Sequence, residues 1–88
     1  MRYPVFSYDD GTEVTASKPD AMGNIMLYIE KFDRDSDSFI NATVSLPNLS
    51  IVSSNGYDKK DLEEMLEEYA EVKEDIIDYV MEKVKKSA

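Results

Sequence analysis

Residues 39–66, FINATVSLPNLSIVSSNGYDKKDLEEML, change their hydrophobic period partway along, and this change constrains the fold more than any other feature of the chain. From Phe39 to Leu46 the side chains alternate. Ile40, Ala42, Val44 and Leu46 fall on one face, and Phe39, Asn41, Thr43 and Ser45 on the other. A period of two marks a strand with one buried face. Pro47 has no amide proton to give a central ladder, so the strand ends there. Gly56-Tyr57-Asp58 then opens a helix, because the Asp58 carboxylate can accept from the amide of Asp61 as an N-cap. Beyond it Leu62, Met65, Leu66, Tyr69, Val72 or Lys73, Ile76, Val80 and Val84 recur at helical spacing, and Ile77 and Met81 widen the stripe. Lys83, Lys85 and Lys86 fall in the last turns, where cations suit the helix dipole.

Upstream the pattern is extended. Residues 3–8 and 12–17 flank the turn signal Asp9-Asp10-Gly11 and read as a first hairpin. Residues 18–24, with Pro19 and Gly23, form a connection. Residues 25–32 alternate strongly, with Ile25, Leu27 and Ile29 on one face and Met26, Tyr28 and Glu30 on the other. The polar run at 33–38 turns the chain into the strand at 39–46. Leu49, Ile51 and Val52 either add a short strand or cover the core. The expected fold is α+β: an antiparallel sheet of four to five strands, built from two successive hairpins, with a long C-terminal helix packed on one face. One domain is expected, comprising an N-terminal hairpin (1–24), a second hairpin and crossing (25–57) and the helix (58–86). The expected core is Val5, Val14, Ile25, Leu27, Ile29, Ile40, Ala42, Val44, Leu46, Leu62, Leu66, Tyr69, Ile76 and Val80. A helix over residues 59–86 runs for about 42 Å and overshoots strands of about 20–27 Å. It is therefore expected either to break near residues 71–75 or to pack its end on another chain.

Composition narrows the function. The chain has 88 residues, 42% of them hydrophobic, enough for one modest core. Cysteine, histidine and tryptophan are absent. Thiol chemistry and disulfides are thereby excluded, together with the side chain that most readily titrates near neutrality. A non-catalytic role is expected, with no cofactor. No apolar run is long enough to span a membrane, and the first residues carry no signal core, so the expected setting is cytoplasmic. The formal charge is −9, spread over both halves of the chain. Such a surface repels phosphates, which disfavours direct nucleic-acid binding, and it attracts basic proteins.

The charge is densest on the helix, where residues 61–78 carry nine acids against the single base Lys73. Asp61, Glu64, Glu67, Glu68, Glu71, Glu74 and Asp75 are the candidate partner-binding face. Ile77, Val80, Met81 and Val84 are the candidate interface of a homodimer. The six tyrosines, at 3, 8, 28, 57, 69 and 79, suit a recognition surface, with Tyr28 and Tyr69 expected to be partly buried. Asp33, Asp35 and Asp37 carry the one-three-five spacing of a calcium loop. Ser38 stands where that loop needs glycine and Val44 where it needs glutamate, so no metal is expected.

Residues 25–80 resemble the HicB-type antitoxin domain. Tyr28-Ile29-Glu30 lies in the first strand of that pattern and Phe39 and Ala42 in the second. Pro47-Asn48-Leu49 takes the Pro-Asp-Leu place, and Gly56 follows nine residues after Pro47 as the helix-opening glycine. Asn48 replaces the family's aspartate, Ser50-Ile51 replaces its second Pro-Gly, and the helix stands where the family usually returns with a further strand. The resemblance implies a protein that covers a small, basic, RNA-cleaving toxin. Two other readings remain open from the residues alone: an inhibitor that imitates nucleic acid against a nuclease, and a structural homodimer.

Overall fold

The computed structural model describes residues 2–87. Strands β1 (Arg2–Ser7), β2 (Glu13–Ser17), β3 (Ile25–Asp33), β4 (Ser38–Leu46) and β5 (Ser50–Asn55) precede one helix, α1 (Lys59–Ser87). The strands lie in sequence order in one antiparallel sheet, each hydrogen-bonded to the next. The fold class is therefore α+β, and the run around Ile51 is a full fifth strand.

The register places the apolar sets of neighbouring strands opposite one another. Val14 faces Ile29, and Ala16 faces Leu27. Ile25, Leu27 and Ile29 face Leu46, Val44 and Ala42 in turn. A slip of one residue would move all of these to the other face, so the buried face itself pins the register. Tyr69, Ile76 and Val80 of α1 join Tyr3, Val14, Ala16, Ile25, Leu27, Ile29, Val44 and Leu46 in one buried cluster. The opposite face mixes polar residues with an exposed Phe32–Phe39 pair, whose ring centroids lie 5.2 Å apart. There Arg2 lies over the Tyr28 ring at 3.9 Å and pairs with Glu30 at 2.8 Å.

The core departs from expectation where the edge strands are irregular. The β1–β2 register shifts between Pro4 and Phe6, which leaves Val5 without a partner. Val5 is half-buried, and Tyr3, opposite Ala16, takes the enclosed place. A second shift in β4–β5 skips Val52, which stays exposed. Bulges and a proline on an edge strand also discourage pairing with other chains. Ile40, Leu62 and Leu66 are half-buried rather than enclosed, and Ile40 lines the cleft described below.

The helix does not break near residues 71–75. It runs unbroken for 29 residues, and Val84 still packs against the core cluster. Asp58 caps it as expected, accepting from the Asp61 amide at 2.8 Å. Just before the cap, Gly56 holds φ at 96°, where an added Cβ would lie 2.7 Å from the Ile40 Cβ. Glycine is required there for both its dihedral and its lack of a side chain. Gly56→Ala is accordingly expected to cost at least about 2 kcal/mol in urea unfolding, from left-handed strain plus overlap with Ile40. A loss below about 0.5 kcal/mol, the range of a neutral surface change, contradicts this account of the linker.

Candidate functional site

Burial changes along α1. Tyr69, Ile76 and Val80 are enclosed, whereas Leu62, Met65 and Leu66 nearer the start are half-buried. The space left at that end is a cleft of about 450 Å³ between the sheet and the first turns of the helix. The β1–β2 hairpin contributes Tyr8, Asp10 and Thr12, β3 contributes Ile29, Lys31 and Asp33, and β4 contributes Ile40. Gly56 and Tyr57 close one side, and α1 supplies Asp61, Glu64, Met65, Glu68 and Tyr69.

Each polar wall is fixed by local structure. Asp10 accepts from the Thr12 amide at 2.9 Å, which shapes the turn. Hydrogen bonds from Thr12, and then the nearby Lys31 ammonium, hold the Asp10 carboxyl below its ordinary range. Lys31 lies 3.4 Å from Asp10. Asp33 accepts from the Ser36 hydroxyl at 2.8 Å. Lys31 and Asp33 reach the cleft because the alternation of Ile25, Leu27 and Ile29 continues through them along β3. Among the described residues lining the cleft, Lys31 is the one cation facing five carboxylates.

Three tyrosines form the floor. The Tyr8 hydroxyl donates to Glu68 at 2.7 Å and lies 3.4 Å from the Tyr69 hydroxyl. The Tyr57 hydroxyl is enclosed and has no hydrogen-bond partner among the described residues. A buried polar group left unpaired costs about 1–3 kcal/mol, so this position is the least satisfied point of the site. Burial raises all three phenol pKa values. The Glu68 charge pushes Tyr8 and Tyr69 further, and the Asp10 and Asp61 charges push Tyr57 further. The cleft thus disfavours added negative charge. Of the other tyrosines, Tyr3 is in the core, Tyr28 carries Arg2, and Tyr79 donates to the Pro4 carbonyl at 2.8 Å, tying α1 to β1.

Of the seven acids expected to form a binding face, Asp61, Glu64 and Glu68 line the cleft. Glu67, Glu71, Glu74 and Asp75 are exposed elsewhere on α1. Asp10 and Asp33, which charge density alone does not single out, complete the acidic rim. The four residues expected at an oligomer interface differ in their burial within the chain itself. Val80 is fully buried in the chain's own core, because its spacing from Ile76 puts it on the same helical stripe. Ile77 and Val84 pack partly against that core, and Met81 is 41% exposed. Among the described residues no three carboxylates converge as a metal-binding group, and no helix is long and apolar enough to cross a membrane.

Compared with known proteins, the chain matches no family model, no curated protein and no solved structure.

The raised phenols set an alkaline limit on stability. Folded Tyr8, Tyr57 and Tyr69 hold their protons above the ordinary value of 10.0, so the folded state binds more protons than the unfolded state at high pH. Their contribution is complete below about pH 10 and is lost as pH rises through the raised values. Urea unfolding across this range is expected to show a fall that Tyr69→Phe makes shallower. A fall equally steep in the Tyr69→Phe variant contradicts it.

Proposed function

We propose that this chain is a non-catalytic binding protein that captures a basic protein partner. The observation that carries the reading is the convergence of Asp10, Asp33, Asp61, Glu64 and Glu68, drawn from three separate parts of the chain, around one cleft. Glu67, Glu71, Glu74 and Asp75 extend the negative surface along α1. A partner carrying lysines and arginines is steered toward such a surface, and its cations replace solvent counter-ions there. The HicB-like pattern of residues 25–80 gives this partner a concrete form: a small, basic, RNA-cleaving toxin whose phosphate-binding patch the acidic surface covers. Nucleic acid itself is repelled by the same charge.

The reading is tested by capturing partners from the native host at low salt, purifying the captured protein, and measuring the pair by calorimetry at two salt concentrations. The expected partner is a basic protein whose affinity falls steeply with added salt. Glu64→Lys with Glu68→Lys is expected to weaken it at least about tenfold, because each reversal turns an attraction into a repulsion at the interface. A neutral or acidic partner, or a basic one whose affinity ignores both salt and the double reversal, contradicts the reading.

A further inference from the structure

The junction between β5 and α1 carries a reactive pair that has no part in partner capture. Asn55 ends β5, and Gly56 follows it outside the strand. Both residues are exposed. Among the described residues the Asn55 side chain makes no hydrogen bond and the Gly56 amide donates none. An asparagine side-chain carbonyl can reach the amide nitrogen of the next residue and close a small ring with it. Glycine leaves that nitrogen unshielded, because it has no Cβ. The other asparagines precede side chains: Asn24 precedes Ile25, Asn41 precedes Ala42 and Asn48 precedes Leu49. Ile25 and Ala42 are also buried and paired in the sheet, opposite Leu46 and Ile29. Asp10-Gly11 is the comparable acid–glycine pair, and local structure blocks the reaction there. The Gly11 amide donates to the Tyr8 carbonyl at 3.1 Å. Hydrogen bonds from Thr12 hold the Asp10 carboxyl below its ordinary range, and an ionised carboxylate is a poor electrophile. Asn55 closes an edge strand, so turning its peptide toward the ring geometry loses only the last rung, opposite Asn41.

We propose that Asn55-Gly56 is a site of spontaneous deamidation through a cyclic imide. The Gly56 nitrogen gives its proton to solvent base and attacks the Asn55 Cγ. A bond forms between that nitrogen and Cγ, the Cγ–Nδ2 bond breaks, and Nδ2 leaves as ammonia after taking a proton from solvent. Water then opens the succinimide at either carbonyl. Attack at Cγ yields aspartate. Attack at the main-chain carbonyl carbon yields isoaspartate, in which the chain runs through the former side chain. Water enters, ammonia leaves, and nothing is oxidised or reduced. Either product adds a negative charge next to Gly56, which lines the cleft with Tyr57 and Asp61. Isoaspartate also inserts one carbon into the main chain just ahead of Gly56. That glycine packs so closely that an added Cβ would lie 2.7 Å from the Ile40 Cβ. The inserted carbon displaces this contact, so the modification slowly and irreversibly loosens the handover from sheet to helix.

The test incubates the purified full chain at mildly alkaline pH and follows it by peptide mapping with mass detection and by an isoaspartate-specific methyltransferase assay. The peptide holding Asn55 is expected to gain the mass difference between water and ammonia, and to split into aspartyl and isoaspartyl forms, before any gain at Asn24, Asn41 or Asn48. The rate is expected to rise with pH, because the attacking nitrogen must first lose its proton. Asn55→Gln, whose longer side chain needs a larger ring, is expected to lose the methyl-acceptor signal. The separated isoaspartyl form is expected to unfold at lower urea than Asn55→Asp, which carries the same charge on an unaltered backbone. No gain at Asn55, a gain at Asn48 as fast as at Asn55, or a methyl-acceptor signal that survives Asn55→Gln overturns the proposal. An isoaspartyl form as stable as Asn55→Asp overturns the loosening of the junction.

Discussion

A single helix must cover the apolar face of a five-stranded sheet, and that burial holds this chain together. Val14, Ala16, Ile25, Leu27, Ile29, Val44 and Leu46 would face water without Tyr69, Ile76 and Val80 beside them. Burying side chains of this size is worth about 1.5–3 kcal/mol each, against a net domain stability of about 5–15 kcal/mol. Few of these contacts can be lost. The hydrogen bond from Tyr79 to the Pro4 carbonyl fixes the helix against the first strand at the same end.

The other end of the seam is looser, and the cleft follows from that. Leu62, Met65 and Leu66 are only half-buried, and so is Ile40, which lines the same cleft as Met65. A gap between an acidic helix on one side and the β1–β2 turn and end of β3 on the other gathers carboxylates from both sides. Binding surface and core are thus two stretches of one interface, closed at one end and open at the other.

Much of this was legible in the sequence. Alternation in β3 and β4, Pro47, Gly56 and the Asp58 cap gave the strands, the handover and the helix, because each acts within a few residues. Residues that depend on distant registration were harder to read. Asp33 reads as a loop residue, yet the alternation starting at Ile25 continues to it and places it on the helix side, so parity carried two residues further would have found it. Asp10 carries no such signal, since a turn residue has no parity. Val5 and Tyr3 exchanged roles because an edge bulge shifts the face of a strand without marking the sequence. Val80 belongs to the stripe of Ile76 and also sits beside Ile77 and Met81, so spacing alone could not tell core from interface.

The claim that one seam has a closed and an open end is tested most directly by native-state hydrogen exchange along α1. The account predicts that amides at residues 69–80 exchange only with global unfolding, as those of β3 and β4 do, while those at 61–66 exchange at least about tenfold faster through local opening. Uniform protection along the helix, or slower exchange at its acidic start, would contradict it.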